Sequence, residues 1–274
     1  MAVSARIVWS ARLRGLCALI VFCVLALRAS LELNRHILWA VLARHRRSAR
    51  RCWAAECSCR YGARMLAAVS RVLELTVVYR LPAHPVLLDR TRPLLIVSNH
   101  QTTLDGLVLM NLLHDIGRGN VRWIAKRSLG WAPVTGRFLK ESGCPLIERK
   151  GLPKELEAIG VGARQAAADR ATMFIFPEGH RFRKAVAKSG LTHVLPPKKR
   201  GFLILRQELA HYPILSLTIN WDRVTGGKTW LESGAVVGKR ALVHGEIIEN
   251  LPFEQSEEWL LNEWRRKDLW LSET

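Results

Sequence analysis

The stretch PLLIVSNHQTTLDGL, residues 93–107, carries the clearest indication of the fold in this 274-residue chain. Its first half is almost continuously apolar, which is typical of a short strand buried on both faces of a parallel sheet. Its second half begins an amphipathic pattern, which predicts a helix from about residue 102 to residue 113. His100 lies at the junction, and Asp105 follows five positions later. A strand that passes into a helix in this way predicts an α/β sheet.

The same alternation of strands and helices continues along the chain. Further strands are predicted at 75–81, 121–126, 144–149, 171–179, 212–220 and, at an edge of the sheet, 241–248. Helices are predicted at 44–75, 132–141, 153–169, 201–210 and 255–267. We therefore predict an α/β domain over residues 75–274, with a mixed, mostly parallel sheet flanked by helices. Residues 1–74 are predicted to form a separate, membrane-associated helical region.

The N-terminal region contains two apolar stretches, an uncharged run of thirteen residues from Gly15 to Leu27 and a shorter patch from His36 to Ala43. As a helix the longer run rises only ~20 Å, whereas the hydrocarbon core of a bilayer is ~30 Å thick. We interpret the two stretches as a helical pair that dips into a membrane or lies at its surface. A single uncleaved anchor and a basic, solvated helix are the alternatives.

Positive charge indicates an anionic partner, because the chain has a formal net charge of +19. The first 60 residues contain eleven Arg and two Glu, and this charge surrounds the apolar stretches, so we expect a membrane surface with anionic lipids rather than nucleic acid. The positive-inside rule predicts that the following domain lies on the cytoplasmic side of the membrane. In a bacterium this membrane would be the inner membrane. Cys52, Cys57, Cys59 and His45 could hold zinc, but reduced thiols fit their spacing better.

Three polar clusters each follow a predicted strand: NHQTTLD (99–105), ERK (148–150) and PEGHR (177–181). In open α/β sheets, ligands collect outside the carboxyl ends of the strands. His100 could act as a general base held by Asp105. Alternatively, Asp105 could cap the helix as part of a Thr102-x-x-Asp box, and His100 could be an ordinary buried histidine.

These clusters resemble the motifs of a known family. NHQTTLD has the spacing of its His-x4-Asp motif, and GCPLIERK, FPEGHR and YPILSLTI resemble its second, third and fourth motifs in the same order. Over roughly residues 75–250 the chain is similar to the glycerolipid acyltransferases, which act on lysophosphatidic acid and related lysophospholipids. One departure is His180, where the family commonly has Thr.

The resemblance implies a glycerol-3-phosphate acyltransferase-like fold and acyl transfer from acyl-CoA or acyl carrier protein. The implied acceptor is the sn-2 hydroxyl of 1-acyl-sn-glycerol-3-phosphate, which becomes phosphatidic acid. His100 is then the general base and Asp105 its orienting carboxylate. The implied substrate-binding residues are Arg149, Glu178, Gly179, Arg181, Lys126 and Pro213. Neither a metal nor a cofactor other than the acyl donor is implied.

Alternatives remain at several of these positions. Arg149 could form an ordinary salt bridge, and Glu178 with Gly179 could form a purely structural turn. The acceptor could be lysophosphatidylglycerol, lysophosphatidylinositol or lysocardiolipin. A hydrolase with Cys144 as nucleophile and a basic membrane- or nucleic-acid-binding protein without catalysis are hypotheses of other classes, although no Gly-x-Ser-x-Gly elbow is present.

Overall fold

The computed structural model describes residues 2–44, 46–132, 134–182, 190–222 and 236–273. In these ranges the α-helices are α1 (Ala2–Leu42), α2 (Arg47–Leu73), α3 (Pro85–Leu88), α4 (Asp105–Asp115), α5 (Thr135–Glu141), α6 (Pro153–Ala168), α7 (Lys199–Glu208) and α8 (Ser256–Glu273). The strands are β1 (Thr76–Arg80), β2 (Leu95–Ser98), β3 (Val121–Trp123), β4 (Ala125–Lys126), β5 (Leu146–Ile147), β6 (Thr172–Ile175), β7 (Ile214–Trp221) and β8 (Arg240–Ile248).

Six strands form one sheet in the order β1-β8-β7-β2-β6-β3. Only β7 and β8 are antiparallel to each other, so the predicted mixed, mostly parallel sheet is confirmed. β2 is parallel to both of its neighbours, β7 and β6, and every residue in it is buried. The apolar run that predicted this strand therefore lies at the centre of the fold.

The sheet corrects two of the strand predictions. Residues 241–248 were predicted to be an edge strand, but β8 lies between β1 and β7 because β1 pairs in parallel with its outer side. Residues 144–149 were predicted to form a core strand, yet only Leu146–Ile147 is extended, and it pairs with β4 in a separate two-stranded sheet. The predicted strand 121–126 is divided between β3 and β4 and so contributes to both sheets.

α1 also differs from the expected pair of helices, because both apolar stretches lie on one continuous helix. The residues that join them, RASLELNR (28–35), include neither proline nor glycine, so nothing interrupts the backbone hydrogen bonds. Leu13–Ala40 is long and apolar enough to cross a membrane, by length and composition. Small side chains such as Ala18 and Ala29 are buried, and α1 packs along α2.

The helices cover both faces of the sheet. One face shares a hydrophobic cluster with α1, α2 and α4, and the other packs against α6, α7 and α8. α2 crosses α4 so closely that a Cβ at Gly62 would lie 2.6 Å from the Cβ of Met110. A buried ion pair also fixes α2, since Arg51 donates to both oxygens of Asp169 at 2.7 and 2.9 Å. This packing leaves the carboxyl ends of β2 and β6 open beside the polar clusters.

Candidate active site

His100 leaves the sheet just after β2, and two side chains keep the strand pairing in place at that point. The Asn99 side chain donates to the Ile219 carbonyl at 2.9 Å and accepts from the Ile219 amide at 2.7 Å. Gln101 accepts from the Trp221 amide at 3.2 Å. β2 ends at Ser98, whereas β7 continues to Trp221, and these two side chains form the hydrogen bonds to β7 that a longer β2 backbone would form. The chain can therefore turn outward and place His100 above the strand ends.

His100 and Asp105 are in direct contact. The His100 Nδ1 atom lies 2.8 Å from Asp105 Oδ2, and the histidine side chain is 16% exposed while the aspartate is fully buried. A carboxylate only accepts hydrogen bonds, so Nδ1 carries the hydrogen and Nε2 keeps its lone pair. This is the arrangement in which an imidazole can accept a proton from a substrate.

Asp105 is held by several donors besides His100. Its Oδ2 accepts from the backbone amides of Gln101 and Thr102 at 2.6 and 2.9 Å. Its Oδ1 accepts from the Thr102 hydroxyl and from the Trp221 indole, both at 2.8 Å. The capping interpretation is therefore correct in part, because Asp105 does bind the Thr102 amide. The helix begins at Asp105 instead of Thr102, since residues 102–104 wrap around the carboxylate.

The FPEGHR motif encloses His100 from the neighbouring strand β6. The Phe176 ring stacks on the imidazole with centroids 4.2 Å apart and planes 17° apart. The His100 amide donates to Glu178 Oε1 at 3.2 Å, and the His100 carbonyl accepts from the Phe182 amide at 2.7 Å. Parallel pairing of β2 with β6 brings these two segments to the same end of the sheet.

Glu178 is buried beside His100. It is 2% exposed, and its second oxygen accepts from the Leu195 amide at 3.3 Å. Burial raises the pKa of this carboxyl well above its ordinary value, although the two backbone donors act in the opposite direction. In this arrangement both oxygens of Glu178 accept hydrogen bonds from backbone amides of the protein, so its contacts position the His100 backbone.

Arg149 and Gly179 do come together. The Arg149 guanidinium donates to the Gly179 carbonyl at 2.6 Å, and both residues have positive φ angles, 68° and 70°. Gly179 suits this conformation because it has no Cβ. Burial, with the neighbouring charge of Arg181, lowers the pKa of Arg149. The guanidinium is half-buried and adds positive charge beside the turn.

A cavity of about 490 Å³ opens beside these two residues. Its walls include apolar side chains from several elements: Ile124, Ile147, Leu156, Ile159, Ile175, Phe176 and Leu261. Its rim is basic, with Arg149, Lys150, Lys198, Lys199 and Arg200. Phe176 both lines the cavity and stacks on His100, so the histidine packs against one wall of the cavity. The arrangement fits a ligand with an apolar chain and an anionic group.

The remaining predicted residues lie in different places. Arg181 donates to the Thr103 hydroxyl, beside the turn that holds Asp105. Lys126 is exposed, pairs with Ile147 through the backbone, and lies outside the residues that line the cavity. The structure does not bring Pro213 together with His100, because the Pro213 carbonyl accepts from the amide of Leu95 at the opposite end of β2. Five residues of extended chain separate that point from His100, which is roughly 16 Å.

Three features of the candidate site were not predicted from the sequence. Trp221 is a donor to Asp105, and its only signal was an indole at the end of an apolar strand. Asn99 and Gln101 extend the sheet, which the NHQ sequence alone does not indicate. The rim lysines Lys198 and Lys199 follow no predicted strand, so the strand-end argument could not identify them.

The hypothesis of a cysteine hydrolase has no support in this geometry. Cys144 is 8% exposed and accepts a hydrogen bond from the Trp123 amide at 3.2 Å. Burial raises the pKa of its thiol to about 11, so the reactive thiolate is disfavoured at neutral pH. Among the residues that the structure describes, no group of three His, Cys, Asp or Glu side chains is placed to hold a metal ion. His45, one of the four residues considered for zinc, lies outside the described residues.

Comparisons with known proteins identify the family of the chain. Residues 75–220 match the family model described as Acyltransferase. The chain is 27% identical over 129 residues to the 1-acyl-sn-glycerol-3-phosphate acyltransferase of Saccharomyces cerevisiae, which covers 47% of this chain and 39% of that protein. It is 30% identical over 130 residues to 1-acyl-sn-glycerol-3-phosphate acyltransferase alpha of Mus musculus, which covers 47% and 41% of the two chains. The matches therefore span about two fifths of the length of these relatives.

A solved structure is similar over almost the whole chain. The crystal structure of the 1-acyl-sn-glycerophosphate (LPA) acyltransferase PlsC from Thermotoga maritima aligns with a TM-score of 0.66 and 16% identity. The alignment covers 96% of this chain and 97% of that chain, so the two share a fold. Because the family model matches more than half of the sequence, the chain belongs to the acyltransferase family.

Proposed function

We propose that this protein transfers a fatty acyl group from a thioester to the sn-2 hydroxyl of 1-acyl-sn-glycerol-3-phosphate, giving phosphatidic acid. The observation that carries the proposal is the His100–Asp105 pair, joined at 2.8 Å and stacked against a wall of an apolar cavity with a basic rim. Acyl-CoA or acyl carrier protein is the proposed donor.

His100 is the proposed general base. Its Nε2 atom accepts the proton of the acceptor hydroxyl while the oxygen attacks the thioester carbonyl. The tetrahedral intermediate then collapses, the carbon–sulfur bond breaks, and the imidazolium returns the proton to the leaving thiolate. Asp105 stabilises the imidazolium and holds its orientation through the Nδ1 contact. The nucleophile belongs to the substrate, so no acyl-enzyme forms.

The cavity supports an acceptor or donor that carries both an alkyl chain and a phosphate. Apolar walls favour burial of the chain at roughly 25 cal/mol per Å² of apolar area removed from water. Arg149 presents a guanidinium at the rim, and its forked shape suits a phosphate group. Arg181, placed beside the Asp105 turn, is a second candidate for a phosphate contact. Glu178 is assigned no contact with substrate.

We also propose that the protein lies on a membrane through α1, with the catalytic domain on the cytoplasmic side. One face of α1 exposes large apolar side chains: Leu13, Leu16, Ile20, Val24, Leu27, Leu31, Leu38, Trp39 and Leu42. The other face is tied to α2 by ion pairs, Glu32 with Arg60 and Arg14 with Glu74. These pairs favour a helix that lies at the surface with α2 over an isolated helix that crosses the bilayer.

A panel of acceptors tests the reaction and its substrate. Purified protein is supplied with palmitoyl-CoA or palmitoyl-acyl carrier protein and with lysophosphatidic acid, lysophosphatidylglycerol, lysophosphatidylinositol or lysocardiolipin. We expect lysophosphatidic acid to give the highest kcat/KM and phosphatidic acid as the product. A higher kcat/KM with another lysophospholipid would overturn the proposed acceptor, and hydrolysis of the thioester without transfer would overturn the proposed reaction.

A further inference from the structure

Lys198 contacts residues of two motifs, FPEGHR and GCPLIERK, although it belongs to neither. Its amide donates to the Pro177 carbonyl at 2.8 Å, which attaches it to the FPEGHR turn. Its ammonium lies 3.4 Å from the Arg149 carbonyl, and only 3.3 Å from where a Cβ on Gly179 would lie. Arg149 donates to the carbonyl of the same Gly179. Two cationic side chains therefore meet at one glycine on the rim of the cavity.

In the described parts of the chain, no carboxylate forms a salt bridge with Lys198 or Arg149. Burial lowers the pKa of Arg149, and the neighbouring charge of Arg181 lowers it further. The residue after Lys198 differs, because Lys199 is paired with Glu257 of α8. Like charges repel when they are held together, so the pair of Lys198 and Arg149 fits an anionic ligand.

From this convergence we propose that Lys198, which lies outside the four motifs, forms with Arg149 a subsite for a substrate phosphate group. The apolar walls below the subsite receive the alkyl chain of the same substrate. The shared chemistry is a phosphomonoester, supplied either by the acceptor lipid or by the 3′-phosphate of CoA. The inference rests on the proposed function. It identifies Lys198 as a side chain that selects a phosphorylated substrate.

The test compares Lys198→Met with Lys154→Met as its matched control, because Lys154 is an exposed lysine of α6 that lies outside the residues that line the cavity. Methionine keeps most of the aliphatic length and removes the ammonium, while the Lys198 backbone bond to Pro177 is unaffected. Calorimetry measures binding of 1-oleoylglycerol 3-phosphate against 1-oleoylglycerol, and of palmitoyl-CoA against its 3′-dephospho form. We expect Lys198→Met to weaken binding of one phosphorylated ligand about tenfold, which is about 1.4 kcal/mol. The corresponding ligand without phosphate should bind Lys198→Met and wild type equally.

The arm that responds identifies the source of the phosphate. Loss confined to the lipid arm assigns the subsite to the acceptor, and loss confined to the CoA arm assigns it to the donor. Equal loss with Lys154→Met, or equal loss for a ligand and its dephosphorylated form, overturns the inference. The measurement is independent of turnover: phosphate-dependent binding without acyl transfer would contradict the proposed function and leave the subsite standing, whereas transfer with unchanged binding by Lys198→Met would contradict the subsite alone.

Discussion

Asp105 is the residue at which the two interpretations of NHQTTLD meet. The same carboxylate that contacts His100 also accepts from the backbone amides of Gln101 and Thr102. A capping role and a catalytic role therefore support each other, because the donors that fix the turn also fix the carboxylate against the imidazole. Trp221 adds a donor from β7, so the position of Asp105 depends on the central sheet as well as on its own helix.

The substitution Glu178→Gln tests whether Glu178 positions His100 or binds substrate. Glu178 fixes the His100 amide and is buried. We expect the substitution to lower kcat roughly tenfold while KM for the acceptor stays within about twofold, since one of the two hydrogen bonds is lost and the substrate is not contacted. Steady-state kinetics measure both constants. A large rise in KM with unchanged kcat would indicate direct substrate binding.

Glu178→Gln should also change how the free energy of unfolding depends on pH. Burial raises the pKa of Glu178 in the folded state above that of the unfolded chain. The folded protein therefore binds more protons above pH 4.5, and its stability relative to Glu178→Gln falls as pH rises from there toward the folded-state pKa. The slope can reach about 1.4 kcal/mol per pH unit. Urea unfolding of both proteins across this pH range measures it, and parallel stability profiles would contradict it.

Among the elements, the sequence was most informative where its periodicity was unambiguous. β2 was predicted because the consecutive positions 94–97, all of them buried, are apolar. The helix at 153–169 was predicted from Pro153 at its start and from its content of Ala and Glu, and α6 confirms it. The position of β8 inside the sheet was not predictable, because it depends on β1 pairing from more than 150 residues away along the chain. The distance of Pro213 from His100 was not predictable for a related reason: its motif marks a strand, and only the register shows which end of that strand lies near His100.

The close crossing of α2 and α4 gives a prediction at this scale. Gly62→Ala places a Cβ 2.6 Å from the Met110 Cβ, which forces the two helices apart. We expect it to lower the free energy of unfolding by about 1–3 kcal/mol. Gly106→Ala in α4 is the matched control, because nothing lies within 4 Å of its added Cβ, and helix propensity favours alanine there by up to about 1 kcal/mol. Chemical denaturation measures both, and equal effects would contradict the close packing.

For the whole molecule, the distribution of polarity separates the exposed apolar face of α1 from the candidate active site. The face of α1 away from α2 is apolar, whereas the mouth of the cavity at the end of the sheet is basic. The proposed function requires both features, because a lipid acceptor must leave the bilayer far enough for its hydroxyl to reach the proposed base. Residues of α1 and α2, from Ala18 to Leu73, share one hydrophobic cluster with the sheet, so α1 packs as part of the same core.

The role of α1 is tested by making its exposed face polar. Ile20→Gln combined with Leu27→Gln changes two side chains that are 55% and 60% exposed, so folding should be little affected. We expect binding to vesicles of phosphatidylglycerol and phosphatidylcholine to fall at least tenfold, because each apolar side chain contributes on the order of 1 kcal/mol when buried in lipid. Leu88→Gln on α3, 79% exposed, is the control. Equal binding by all three proteins in a sedimentation assay would contradict the membrane proposal.

The central claim is that His100, oriented by Asp105, moves the proton during acyl transfer, and a single assay tests it most directly. Transfer of labelled acyl from palmitoyl-CoA to lysophosphatidic acid is measured for wild type and His100→Ala, with circular dichroism and thermal unfolding as folding controls. General-base catalysis contributes typically 10²–10⁴-fold, so we expect kcat to fall about a thousandfold in a folded protein, with Asp105→Asn also strongly impaired. Transfer by folded His100→Ala at a rate near that of wild type would contradict the account.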